Sequence, residues 1–274
     1  MITGDTCSMN KNPVNTTFDF TAATFNLRAI QFPDLKTKWA KRCGLIADMI
    51  ESSGASVIGV QELLPVMKRD LKRLLCGYSF IGCGRSFKPS KNILHGEHTD
   101  LLAKRGCVKC RYNETFWLSS EPDKPGSRLF ASIFPRICTV ADFEVDSPAS
   151  IVRIYNTHLD HLSRSVRLFQ INVILRHMEM MQQLDPRPTV LMGDFNCTPD
   201  SKEIKAVTEN GTLPLRAAYT GNEYSFKYPK FFGTRLLDHI FVSEEIEVKD
   251  AYIDKESYHG SDHYPVIASL AVRA

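Results

Sequence analysis

Apolar and polar positions along this chain switch repeatedly between strand-like runs and helical spacing. Phe18 to Phe25 reads as a strand entering a loop at Asn26, and Leu35, Trp39, Cys43, Ile46 and Ile50 then recur at helical spacing until Gly54. The apolar run Ser56 to Val60 leads to Gln61-Glu62, after which Pro65 opens a second helix with Val66, Leu71, Leu74 and Leu75 on its apolar side. The middle differs: Phe116 to Ser119, Ile137 to Val145 and Ile151 to Thr157 read as successive strands joined by turn-rich segments. Ser163 is placed to cap a long helix carrying Val166, Gln170, Val173, Ile174, His177 and Met181, followed by a strand over Thr189 to Met192. Strands over Leu236 to Val242 and Val266 to Val272 close the chain. Such alternation predicts an α/β domain with sheets covered by helices, its strand order left open.

Composition supports one large unit. The 274 residues are 43% hydrophobic and 24% charged, enough to bury a core without disulfides, and no linker-like stretch divides them. The expected division is an N-terminal extension, residues 1–16 and flexible, followed by a single domain over 17–274. The N-terminus lacks an apolar signal core, and no stretch nears about eighteen uninterrupted apolar residues, so a monomer without a membrane span, in the cytoplasm, is expected. Eight scattered cysteines read as reduced thiols; Cys107-x-x-Cys110 lacks a matching second pair and reads as two thiols in a loop. Charge is nearly balanced at +3, but residues 85–111 hold seven Lys or Arg against Glu97 and Asp100, a local +5 that leaves −2 elsewhere. That stretch reads as a surface loop able to lie along a phosphate chain, through Lys88, Lys91, Lys104 and Arg105.

Polar clusters end several apolar strands: Asn26, Gln61-Glu62, His158-Leu-Asp160-His161, Asp194-Phe-Asn196, Asp238-His239 and Ser261-Asp262-His263. Carboxylates, carboxamides and imidazoles at one rim suit a hard cation and a phosphate, offering oxygens to the ion and donors to phosphoryl oxygens. Taken singly, several have plainer readings. Asn26 could form a turn, Glu62 favour a helix start, His158 be a buried core histidine, and Asp194-Phe-Asn196 cap the helix after Pro199. Asp238 inside an apolar strand needs a partner, since an unpaired buried carboxylate is costly, and His263 is the best candidate.

Together, ATFNLR, GVQE, NTHLDH, MGDFNCTPDS, LLDHIFVS and GSDHYPV resemble the ordered signature motifs of the endonuclease/exonuclease/phosphatase superfamily. FWLSSEPDKPGS and PRICTVADFE resemble its stand-alone, mostly bacterial branch. The resemblance implies a four-layered α/β sandwich, two packed mixed β-sheets flanked by helices, of the deoxyribonuclease I-like kind. It implies Mg²⁺, with Mn²⁺ as a possible substitute, on Glu62, Asn26 and Asp262. Asp194 would activate the attacking water, Asn196 hold it or a phosphate oxygen, and His263 contact the phosphate with Asp238 fixing its tautomer. His158 would be an acid for the leaving oxygen. Asp160, within the same motif as His158, and Glu97 are expected to bind substrate, although a local hydrogen-bonded turn explains Asp160 equally well. Arg28 stands where apurinic endonucleases carry an acid, which argues against that branch, and His239 reads as structural.

The leading functional expectation is a phosphodiesterase acting on nucleic acid, a nuclease or 3′-exonuclease. A phosphatase or phosphodiesterase of small phosphorylated metabolites or lipid head groups is the alternative, and a scaffold without catalysis the third.

Overall fold

The computed structural model describes residues 17–30, 35–86, 96–145, 147–227, 233–255 and 260–273. The N-terminal extension and the lysines at 88 and 91 lie outside them. The elements run β1 (Thr17–Asn26), α1 (Leu35–Ser52), β2 (Val57–Gln61), α2 (Pro65–Leu74), β3 (Tyr78–Ile81), β4 (Leu101–Lys104), β5 (Val108–Trp117), β6 (Ile137–Val145) and β7 (Ser147–His158). There follow α3 (Arg164–Leu184), β8 (Thr189–Asp194), α4 (Lys202–Thr208), β9 (Arg216–Ala217), β10 (Phe226–Lys227), β11 (Thr234–Arg235), β12 (Asp238–Val242), β13 (Ile246–Ile253) and β14 (Val266–Arg273).

These form two six-stranded sheets, ordered β13-β14-β1-β2-β4-β3 and β5-β6-β7-β8-β12-β9, and a two-stranded β10-β11 ribbon. Because side chains alternate across a strand, each central strand feeds two layers. Ala22, Val57, Ile154, Val190, Met192, Ile240 and Ala268 meet between the sheets. Phe25, Ile58 and Val60 face outward onto Ile46, Ile50, Met67 and Leu71 of α1 and α2. Tyr155, Leu191 and Phe241 face the other way, onto Ile171, Ile174, Met178 and Val207 of α3 and α4. The result is the four-layered sandwich, helices outside both sheets. No described helix is long and apolar enough to cross a membrane.

Both sheets mix orientations in the same way. β1 lies parallel to β2 and β7 parallel to β8, with every other pairing antiparallel, so these four strands all deliver their C-terminal residues to one rim. A buried polar bridge ties the two parallel pairs together just beneath it. Gln61 Nε2 donates to Asn156 Oδ1 at 2.7 Å, and Asn156 Nδ2 donates to the carbonyls of Val60 and Asp100 at 3.0 and 2.9 Å. Gly59 makes room for it, since a Cβ there would stand 2.6 Å from Asn156 Oδ1. Gln61 Nε2 and both polar atoms of Asn156 are bonded while Gln61 Oε1 is buried with no partner, and the bridge fixes the relative position of the sheets through those bonds.

Several expectations about elements change. The edge strands β3, β5 and β13 and the short β4 were not foreseen at these lengths. Residues 101–111 form β4 and the start of β5 instead of a loop. Cys107 sits in their turn and Cys110 in β5, and the described cysteines are all free. The helix after Pro199 begins at Lys202 with Ser201 as its N-cap, whose side chain accepts Ile204 N at 3.2 Å. Ser201→Ala should cost about 1 kcal/mol, read as a lower denaturant midpoint with an unchanged slope; turnover should hold. A midpoint equal to wild type would mean that this cap contributes nothing.

Candidate active site

The rim where the parallel strands end opens into a cavity of ≈ 520 Å³, lined by Glu62, His158, Asp194, Asn196, Asp262 and His263 among others. Asn26 and Asp238 lie just behind it. Asn26 is fully buried at the end of β1, beside Gln61, and its Nδ2 donates to Glu62 Oε1 at 3.1 Å and Asp194 Oδ2 at 2.9 Å. Its Oδ1 accepts Arg28 N at 2.9 Å, so this amide bridges two carboxylates; rotated over, it would present oxygen to a cation.

Glu62 takes a φ of 57°, Arg28 56° and Asn196 51°. A left-handed backbone is costly for residues with a Cβ, and such residues gather where function holds them. The conformation turns the Glu62 carboxylate back toward β1, where Oε2 accepts Ala29 N at 2.6 Å. Asn196 donates its backbone N–H to Asp194 Oδ1 at 2.9 Å and its Nδ2 to Leu159 O at 3.1 Å.

Antiparallel pairing sets Asp238 of β12 opposite Asp194 of β8. Asp238 Oδ2 lies 2.8 Å from His263 Nδ1 and accepts Ser225 Oγ at 2.6 Å, while Asp238 Oδ1 is buried with no partner. The other ring nitrogen of His263, Nε2, faces Asp194 Oδ2 at 3.8 Å. Burial opposes charge on His263, but Asp238, Asp194 and Asp262 outweigh it and raise its pKa to about 10. Asp194 is pushed up to about 7, first by burial and then by Asp238.

His158, 3.5 Å from Asp194 Oδ2, is driven well below its usual pKa by burial and then by Arg136 and Arg85. That shift favours the neutral imidazole, an N–H donor beside Asp194. Asp160 is not brought to the cavity. It is buried, with Oδ1 accepting the N–H groups of Leu162 and Ser163 and Oδ2 accepting Ser132 Oγ, so it builds the turn before α3. His239 is buried against the Cys197 carbonyl at 3.0 Å, a structural position.

Glu97 does line the cavity, as one half of a bidentate pair: Arg85 Nη1 and Nη2 lie 2.7 and 2.9 Å from its two oxygens. Arg85 also stacks over Phe134, its Cζ 4.6 Å from the ring centroid, and Arg136 and His161 complete this wall. Arg85, Phe134 and Arg136 were not singled out from the sequence. The available signal was a lone arginine between Pro135 and a buried strand, where a cation has no structural reason to sit. Lys104 and Arg105 stand at the other end of the sheet, because β4 runs antiparallel to β2 and carries them away from the rim.

The donor set fits a hard divalent cation. Glu62, Asp194 and Asp262 converge on the cavity, Asp194 has its pKa raised by burial and then by Asp238, and among the described residues no cysteine lines it. Asp194, Asp238 and His263 also form a buried cluster, one ligand atom from each within 4.8 Å of the others, that could hold a metal.

Known proteins share this fold. Residues 23–263 match the sequence profile of the Endonuclease/Exonuclease/phosphatase family. A family protein from Bacteroides vulgatus is 29% identical with a TM-score of 0.82, covering 93% of this chain and 99% of that one. Another from Bacteroides thetaiotaomicron is 28% identical with a TM-score of 0.79, covering 94% and 100%. A Bacteroides thetaiotaomicron mannosyl-6-phosphatase is also 28% identical, with a TM-score of 0.79 and coverage of 92% and 99%. Among curated proteins nothing matches. The chain belongs to the endonuclease/exonuclease/phosphatase family and is an enzyme of its phosphoesterase hydrolase class.

Proposed function

We propose that this protein hydrolyses phosphate esters of small metabolites with Mg²⁺, or Mn²⁺ in its place. The observation that carries this reading is the wall opposite Asp194 and His263. Arg85, Glu97, Phe134 and Arg136 close a cavity of ≈ 520 Å³, a size that suits one small polar ligand. A relative of similar extent named as a mannosyl-6-phosphatase supports it.

Glu62 and Asp262, with Asn26 beside them, would hold the metal, which would neutralise charge on phosphoryl oxygens and position the ester. Asp194, with a raised pKa near neutrality, is suited to take a proton from a water, and Asn196 to orient it. His263, held protonated and in one orientation by Asp238, offers Nε2–H to a phosphoryl oxygen. His158 adds a neutral donor on the other side of Asp194.

The second reading, cleavage of nucleic acid, draws on the net charge of residues 85–111. Among their described members, Arg85 is spent on Glu97, and Lys104 and Arg105 point away from the rim. One panel separates the two readings: a hexose 6-phosphate, p-nitrophenyl phosphate, bis-p-nitrophenyl phosphate and a single-stranded oligonucleotide, each with Mg²⁺ and with excess chelator. The monoesters should exceed the diesters by about tenfold or more in kcat/KM, with no turnover in chelator. Faster cleavage of the oligonucleotide would overturn the metabolite reading, and full turnover in chelator the metal. Glu62→Gln should raise the Mg²⁺ requirement and be rescued only in part by more of the ion.

A further inference from the structure

The far wall of the cavity holds more positive charge than the protein itself answers. Arg85 is matched by Glu97, but Arg136, only 6% exposed, is not. Its Nη2 lies 3.2 Å from His161 Nδ1, its buried Nε has no acceptor, and it forms no ion pair among the described residues. Glu97 and Asp160 each offset part of the charge through space, yet Glu97 is held bidentately by Arg85, and both oxygens of Asp160 are bonded to Ser132 and to backbone N–H groups. A guanidinium stays charged at any working pH, and burying one without an anion is costly.

His161 extends the same feature. Because Arg136 can only donate, Nδ1 must accept, which leaves the ring proton on Nε2 at the exposed rim of the cavity. Arg136 also lines a small recess with Arg85, Glu97 and His158, to which neither Asp194 nor His263 contributes. The phosphate end of the cavity already has the protonated His263, Arg28 and the metal-binding carboxylates. A planar, multidentate donor set apart from that end is suited to an anion of its own.

We propose that Arg136, with His161 beside it, is a subsite for a second acidic group, a carboxylate or a further phosphate, borne by the alcohol portion of the substrate ester. This rests on the reading of the site as a metabolite phosphoesterase. It makes the preferred substrates phosphorylated acids or bisphosphates, with neutral sugar phosphates as weaker ones.

Four esters test it with the Mg²⁺-loaded enzyme: p-nitrophenyl phosphate, glucose 6-phosphate, 6-phosphogluconate for the carboxylate, and fructose 1,6-bisphosphate for the second phosphate. One of the two acid-bearing esters should have a KM below that of glucose 6-phosphate by about tenfold or more. Arg136→Gln should raise that KM by about 10- to 100-fold, with kcat and the hydrolysis of p-nitrophenyl phosphate held within about twofold. Arg136→Lys keeps the charge without the fork, so it should retain part of the preference; it also serves if the glutamine variant does not fold. Absence of any wild-type preference for an acid-bearing ester would overturn the subsite alone. So would equal losses on all four esters in both variants, which would assign Arg136 to the scissile phosphate or to the fold. Cleavage of an oligonucleotide but none of the four esters would overturn the metabolite reading, and the subsite with it.

Discussion

Replacing Asp194 by Asn, or His263 by Ala, should lower kcat by about three orders of magnitude without unfolding the protein. On the proposed function both groups act at the reacting phosphate, and each makes few contacts between elements, Asp194 to Asn26 of β1 and His263 to Asp238 of β12. Asp194 sits between Asn26, His158 and His263, and only its Oδ1 contact to Asn196 N is local. Its pKa is raised by burial and by Asp238, so the neutral asparagine removes one of two crowded negative charges. The melting temperature of Asp194→Asn in chelator should therefore equal or exceed that of wild type, the usual sign of a group kept for chemistry at the expense of stability. Asp238→Asn should lower kcat much as His263→Ala does, because Asp238 acts by holding His263 charged and oriented. Residues that act as a unit are non-additive, so the Asp238→Asn/His263→Ala double variant should lose little more than the worse single one. A double variant whose loss is the product of the two would mean the groups act separately.

What the residues disclosed and what they hid follow from the same physics. β1, β2, β7 and β8 are largely buried on both faces, read as apolar runs and stop at polar clusters, and the buried β12 opens on one, so both strands and site motifs were visible. β5 and β13 are sheet edges. β5 is exposed or half-buried over Val108 to Thr115, with Lys109 and Arg111 exposed, and each strand breaks its register with a bulge, at Cys110/Tyr112 and at Val248/Asp250. Edge strands are polar and irregular by necessity, which erases the period that announces a strand. The wall of the cavity was hidden for another reason. Arg85 and Glu97 are twelve residues apart, and Arg136 lies beyond two further strands, so only the folded chain brings them to His158. The net charge of residues 85–111 therefore pointed to a surface lip, whereas their described charges are divided between the cavity and the far end of the sheet.

At the end of the sheet away from the chemistry, Asp142→Ala should destabilise the protein by about 3–5 kcal/mol. Asp142 of β6 and Arg153 of β7 are direct cross-strand partners, and they pair bidentately, Nε to Oδ1 and Nη2 to Oδ2, both at 2.8 Å. Arg153 is 1% exposed, so water cannot replace the carboxylate once it is gone. Its Nη1 also donates to the carbonyls of Met181 and Asp185, at 3.2 and 3.0 Å, closing the last turn of α3 onto the sheet. Burial lowers the pKa of Arg153 and Asp142 raises it, but a guanidinium is basic enough to stay charged even without its partner. Removing the carboxylate thus leaves a buried cation and loosens the helix end together, and the melting temperature should fall by about 10 °C. Asp142→Asn, which keeps the shape and an acceptor, should fall by less. Both variants should keep kcat/KM within about twofold of wild type below their transitions, since His158, at the opposite end of β7, is the nearest site residue along the strand. A shift below about 2 °C for Asp142→Ala would mean that water reaches Arg153 and that the pair does not hold α3 in place.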